Sequence, residues 1–334
     1  MAFSFTRCLH SFVFVLTIVV LSLKTSASSA TVLKTPDYTI RYTGQIQGAA
    51  DFAKNRPFFN KLFDLVVGKV NDQLVKPMSV LHVSDEQFII LDQGTRSLVT
   101  VNLTMQKYGS IVQQQCQSLI GLTSLPDGTV LFTDSQRNMV FLQPSSGKEA
   151  AIFNKNDSLQ QPTGIVYSAF TQYVYVAETA AHRLSVFDPN GCFVKSIGRH
   201  GTGLGEFNFP TFLAVDGIGN IYVVDSMNFR VQRLNPQGVA VSCFGKSGDA
   251  SGDLARPKGI ACDTFGHIFV VDGLFHNIQI FDANGNYLEH FGHQGHSPGE
   301  FWMPTGIYID RQNKIYVADT YNNRIQIFQL KAIQ

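Results

Sequence analysis

The residues of this chain best suited to chemistry recur along it instead of clustering once. An acid closes the same short motif six times, at Asp92, Asp134, Glu178, Asp225, Asp272 and Asp319, and an arginine follows five residues later at Arg183, Arg230 and Arg324. A ring of carboxylates could run acid–base hydrolysis or hold a cation. Recurrence in every copy points elsewhere, because an acid at a tight turn accepts hydrogen bonds from the backbone just after it, and every copy needs that turn. Asn277 stands in the arginine slot of the fifth copy, which weakens a catalytic role further. His290, His293 and His296 have a spacing that could serve a transition metal. Residues three apart on a strand point to opposite faces, however, so a shared ion requires the following loop to fold back. His182 and His276, just before the arginine slot, read as structural. The run Gly201-Thr-Gly-Leu-Gly205 resembles a phosphate cradle but lacks the following helix and the lysine, and reads as a connector. No metal site and no cofactor are expected.

The elements that position these residues follow from a repeat. Pro304-Thr-Gly-Ile-Tyr-Ile-Asp310, Lys314-Ile-Tyr-Val-Ala-Asp319 and Asn323-Arg324-Ile-Gln-Ile-Phe328 form a series that returns upstream. It begins again at Pro257, Pro210 and Pro162, and more weakly at Leu119 and Pro77. Six copies with periods between 42 and 48 residues, rich in β-branched and aromatic runs and separated by Asn-Gly, Asp-Gly and Gly-Asn turns, are strand and hairpin chemistry. Four strands per copy repeated around an axis give an all-β, six-bladed β-propeller. The chain ends after three strands of the last copy, so an N-terminal strand is expected to close the ring and remove the exposed edge. Residues 61–68, Lys-Leu-Phe-Asp-Leu-Val-Val-Gly, are the expected strand. Residues 1–30 then read as a signal peptide, 31–57 as an arm outside the repeat, 58–330 as the propeller and 331–334 as a tail.

The combination of Pro-x-Gly-Ile, Ile-(Tyr/Phe)-Val-x-Asp and Asp319-Thr-Tyr-Asn-Asn-Arg324-Ile-Gln resembles the NHL-repeat family, with Gly299-Glu300-Phe301 and Gly205-Glu206-Phe207 before the anchor proline also in its pattern. The resemblance covers residues 60 to 330 and implies a six-bladed propeller built from NHL repeats. It implies little about function, because one fold hosts many. The peptidyl-hydroxyglycine lyases, a related six-bladed group, hold zinc with histidine after the anchor proline. Here those positions are Met78, Ile120, Thr163, Thr211, Lys258 and Thr305, so that activity does not carry over.

These post-anchor positions ring one mouth of the propeller axis. Thr163, Thr211, Thr305 and Lys258, with Arg256 beside Lys258, are the candidate ligand-binding residues. Lys258 and Arg256 stand where most repeats carry neutral residues, and either attract an anionic ligand or are simply solvated.

Composition narrows the partners. With 26 basic and 25 acidic residues among 334, 15% charged and 44% hydrophobic, the chain is globular and has no excess charge for nucleic acid. Residues 11–23 are apolar after Arg7, and small residues follow at Ser28, Ser29 and Ala30, the layout of a cleaved export signal. Cleavage leaves 24 basic against 25 acidic residues. Cys116, Cys192, Cys243 and Cys262 lack paired spacing and read as buried free thiols. The chain therefore reads as a secreted or periplasmic, monomeric, non-enzymatic interaction module for a protein, peptide or glycan. Neither nucleic acid nor a membrane is expected as a partner unless the signal segment is retained as an anchor. The alternative is a metal-dependent propeller lyase or lactone hydrolase acting at the axial mouth.

Overall fold

The computed structural model describes residues 30–55, 73–84, 87–146, 148–154 and 158–333. Short alternating segments such as Tyr173–Glu178 and Arg183–Phe187 pair antiparallel with their sequence neighbours, because the turns between them are too short for any other connection. The result is six twisted sheets around one axis. The third sheet runs outward as Pro162–Ser168, Tyr173–Glu178, Arg183–Phe187 and Phe193–Ile197. The fourth runs from Pro210–Val215 to Ala240–Phe244 and the fifth from Pro257–Cys262 to Tyr287–Phe291. The degenerate first two repeats also make four strands each, starting at Pro77–Ser84 and Leu119–Ser124.

The sixth sheet closes the ring with an N-terminal strand, but an earlier one than expected. Tyr38–Ile46 pairs with Arg324–Ala332 from Ile325 to Ala332, and Thr31–Lys34 adds a fifth strand outside it. The expected arm, 31–57, is therefore not outside the repeat where it is described: Thr31–Lys34 and Tyr38–Ile46 supply two strands of the last blade. The expected residues 61–68 lie outside the described residues. The physical reason is length and pattern. Arg324–Ala332 has nine residues, and Tyr38–Ile46 matches it with nine of its own, burying Tyr38, Ile40, Tyr42 and Ile46. Reaching back over a longer loop costs little, about 0.6 kcal/mol per doubling of loop length.

Six apolar clusters fill the six interfaces between blades. Tyr38, Ile40, Phe269, Phe301, Phe328 and Leu330 belong to the one joining the fifth and sixth. Next to the axis the innermost strands approach so closely that a Cβ at Gly121, Gly164, Gly259 or Gly306 would strike a backbone carbonyl of the next blade. That contact is why the glycine recurs after the anchor. Bulges just after the anchor turn these residues out of their own ladder, and Gly259 N–H reaches the Thr305 carbonyl of the next blade at 2.8 Å. Among the described residues no helix is long and apolar enough to cross a membrane.

Candidate functional site

Antiparallel pairing sets each anchor opposite a turn acid, Pro162 opposite Glu178, Pro210 opposite Asp225 and Pro257 opposite Asp272, so both surround one mouth of the axial channel. All six acids are 0% exposed. A buried carboxylate must be met by donors, and the blades meet it in two ways. In the third, fourth and sixth, side chains clasp it. Asp319 accepts from Arg324 Nε at 2.7 Å, Asn322 Nδ2 at 2.9 Å, Gln326 Nε2 at 2.9 Å and the Trp302 N–H at 2.8 Å. Asp225 has the matching set from Arg230, Asn228, Gln232 and Asn208 N–H, and Glu178 is held by Arg183, Ser185 and Gln160 N–H. In the first, second and fifth blades four backbone N–H groups wrap the acid instead. For Asp272 they come from Ala255, Arg256, Leu274 and Phe275, and Asp92 and Asp134 repeat the pattern. The recurrent acids and their arginines build turns.

The same division holds for the ring of post-anchor residues. In the clasped blades the post-anchor hydroxyl bonds the hydroxyl that follows the acid: Thr163 to Thr179 at 2.7 Å, Thr211 to Ser226 at 2.7 Å, Thr305 to Thr320 at 2.6 Å. The second hydroxyl then donates to the anchor carbonyl of the next blade, Thr179 to Pro210 at 2.7 Å and Thr320 to Pro77 at 2.8 Å. Thr163, Thr211 and Thr305 thus spend their hydroxyls joining blades.

In the fifth blade the pair is replaced by Lys258 and Gly273. A Cβ on Gly273 would lie 3.5 Å from Lys258 Cγ, so the lysine stem occupies the place of the missing hydroxyls. Lys258 is partly buried, and among the described residues neither it nor Arg256 has a side-chain hydrogen bond or ion pair. Burial, and after it the charge of Arg256, pushes the Lys258 ammonium below the ordinary lysine range. The cavity beyond is lined by the inner strands, among them Gly121, Ile165, Phe212, Ala261 and Tyr308, and encloses about 160 Å³.

The other chemical motifs are accounted for by local bonds. His290 meets Tyr287 OH at 2.7 Å, His296 meets Asn322 at 2.6 Å, and His293 lies 3.5 Å from Glu300, so the three do not share a centre. Among the described residues no three His, Cys, Asp or Glu side chains converge as metal ligands. His182 and His276 accept the N–H of Phe209 and Met303 through Nδ1, at 3.1 and 2.9 Å, and Asn138 does the same for Gln161 at 2.8 Å. In the glycine run, Gly203 N–H donates to Glu206 and the Gly203 carbonyl accepts from Arg230, which consumes the cradle. Cys116 is buried and Cys262 partly buried, whereas Cys192 and Cys243 are exposed, contrary to the expectation of four buried thiols. Both exposed cysteines belong to the outer parts of their blades, where one side of the sheet meets water.

One feature of this face escapes a linear reading. The second residue after the turn acid is Gly94, Gln136 and Ala180 in the first three blades but Met227, Leu274 and Tyr321 in the last three. These three are 56%, 55% and 58% exposed. Aligning the repeats by register is the signal that would have revealed them. They occupy the same position on three successive blades, the middle one being the blade of Lys258.

Comparison with known proteins supports the architecture. A family model described as a six-bladed beta-propeller matches residues 158–235 and 257–334. No curated protein matches in sequence. Among solved structures, an auxiliary nutrient binding protein from Bacteroides ovatus is similar with a TM-score of 0.63 and 11% identity, covering 78% of this chain and 71% of that one. The selenomethionine-substituted virginiamycin B lyase from Staphylococcus aureus is similar with a TM-score of 0.59 and 15% identity, covering 87% and 99%. A protein of unknown function from Bacteroides thetaiotaomicron gives 0.62 and 14%, covering 78% and 71%. At these identities the likeness is one of fold.

Proposed function

We propose that this chain is an exported, NHL-type propeller that acts as a non-enzymatic recognition module, meeting a protein, peptide or glycan at the channel-mouth face that holds Lys258. The observation that carries this reading is the break in the hydroxyl ring. Five post-anchor side chains are apolar or bonded into the scaffold, and the sixth is an amine with no acid beside it among the described residues. A residue that forgoes the joining role of its equivalents while remaining half-buried is placed for something outside the fold. Rigid blades hold such a residue in position, which is how a propeller recognises a ligand with loops and turns.

The test is a pull-down from the exported fraction with the wild-type chain and with Arg256→Glu/Lys258→Glu. Partners lost with the double variant support the reading, and an unchanged partner set overturns it. Elemental analysis of protein purified without chelators is the companion measurement. A stoichiometric metal would favour the metal-dependent lyase or hydrolase reading instead.

A further inference from the structure

We infer that the ligand of this face is a peptide segment with an acidic side chain between apolar ones, its carboxylate seated at Lys258 and Arg256 and its apolar side chains on Met227, Leu274 and Tyr321. The inference rests on the mouth being the recognition face, and it adds the chemical class.

Charge comes first. The six turn acids are buried and bonded inward, and Glu206 and Glu300 spend their carboxylates capping their own loops. Lys258 and Arg256 therefore present positive charge to which the described residues supply no carboxylate. A partly buried ammonium has lost hydration, so a carboxylate placed beside it recovers more than the same pair recovers in open solvent.

Layout narrows the anion. The cavity of about 160 Å³ is lined by the inner strands and by neither Lys258 nor Arg256, so the two cations meet a ligand at the mouth itself. A polyanion such as a nucleic acid is held by a row of cations, each releasing counterions. Here two adjacent cations are flanked by apolar turns on three successive blades. Met227, Leu274 and Tyr321, with Trp302 38% exposed near by, offer separate apolar contacts around one charged centre. A single carboxylate with apolar neighbours matches that layout.

The experiment pans a phage-displayed random heptapeptide library on the immobilised full chain and measures a fluorescein-labelled synthetic copy of the most enriched sequence by anisotropy. Enrichment of Asp or Glu between apolar residues is expected. The labelled peptide should lose about tenfold or more in affinity on Lys258→Thr, the loss typical of removing one partner of a desolvated charge pair. It should also weaken on Leu274→Asp. Lys258→Thr installs the residue of three sister blades, and an unchanged far-ultraviolet spectrum and unfolding midpoint check that it folds. Peptides that need Lys258 but carry no acid overturn the chemical class and leave the recognition face standing. Peptides indifferent to Lys258→Thr overturn the face as well. No enrichment above the bare support, or equal retention of phosphatidylserine vesicles or of a single-stranded oligonucleotide, overturns the peptide inference.

Discussion

The third, fourth and sixth blades differ from the first, second and fifth in how they hold one buried carboxylate, and the difference decides which mouth residues are bound into the scaffold. A clasped blade uses arginine or amide side chains, a hydroxyl pair and a bond to the next anchor carbonyl, so its mouth residues are committed to neighbours. A blade that wraps its acid in backbone N–H groups needs none of these, and its mouth residues are free to change. Met78, Ile120 and Lys258 all fall in the second class, and Lys258 is the one that brings charge to the axis. Backbone satisfaction of the turn is what leaves the post-anchor position of the fifth blade open to a charged residue.

The largest effect expected from this comparison lies at the clasp. Arg324 is 4% exposed and also donates to Gln45 of the closing strand at 3.0 Å and to the carbonyls of Ser297 and Glu300, both at 3.0 Å. Arg324→Met removes the cationic partner of the buried Asp319 and one donor from each of three other acceptors, which should cost about 3–5 kcal/mol. The equivalent position in the fifth blade is Asn277, whose Oδ1 is buried without a partner. Asn277→Leu should change stability by less than about 0.5 kcal/mol or raise it slightly, since an unmet acceptor is removed. Urea unfolding midpoints of the two variants measure the contrast. Equal losses would break the two-class comparison.

The next effect tests the backbone-wrapped acid itself. Asp272→Asn turns one accepting oxygen into a donor facing Ala255 and Arg256 N–H, or Leu274 and Phe275 N–H, and should cost about 1–3 kcal/mol for each N–H left unmet. Hydrogen exchange should rise at those amides and stay unchanged at the Trp302 amide held by Asp319. A uniform rise across the ring would mean that the blades do not separate as described.

Much of this arrangement was legible in the linear order of residues, and the reasons differ from place to place. Pro162, Pro210 and Pro257 and their acids repeat because every blade has the same turn to satisfy, so a period exposes them. Arg183, Arg230 and Arg324 were legible as partners of those acids for the same cause. The closing strand was not, because ring closure depends on which N-terminal segment matches a nine-residue partner, and proximity to the first repeat says nothing about that match. Lys258 stood out as a deviation, but that no acid among the described residues pairs with it is visible only with the blades assembled. Met227, Leu274 and Tyr321 are single apolar residues in polar turns until the repeat register shows that they share one position on three successive blades.

A smaller effect joins stability to recognition at the fifth blade. Lys258→Thr with Gly273→Ser rebuilds the hydroxyl pair of the clasped blades. The new Cβ at 273 meets nothing closer than 3.4 Å, so the serine fits. The double variant should gain about 1 kcal/mol from the restored hydrogen bonding while losing the acidic peptide. Unfolding midpoints and the anisotropy titration, run on the same samples, measure both. A variant that loses stability as well as binding would show that Lys258 contributes to the scaffold and would shrink the contrast between the classes.

The smallest effect concerns one bond made by two chemistries in adjacent blades. His182 Nδ1 accepts Phe209 N–H, as Asn138 Oδ1 accepts Gln161 N–H one blade earlier. The two residues share a left-handed backbone, φ 54° and 58°, so asparagine fits at 182 without strain. Only the imidazole can lose its acceptor to a proton. Burial, and then His200 with its ring 4.4 Å away, hold the His182 pKa below the ordinary value of 6.5 against a weaker upward pull from Asp225. The neutral ring is the form that fits the fold. Its contribution is complete above pH 6.5 and declines as pH falls through the depressed folded-state pKa, because the unfolded chain takes up the proton first. The stability of the wild type relative to His182→Asn should therefore fall between pH 8 and pH 5, with the variant contributing no titration at that site. A difference that stays constant over this range would mean that Nδ1 is not the acceptor and that the histidine and asparagine blades are joined by different bonds.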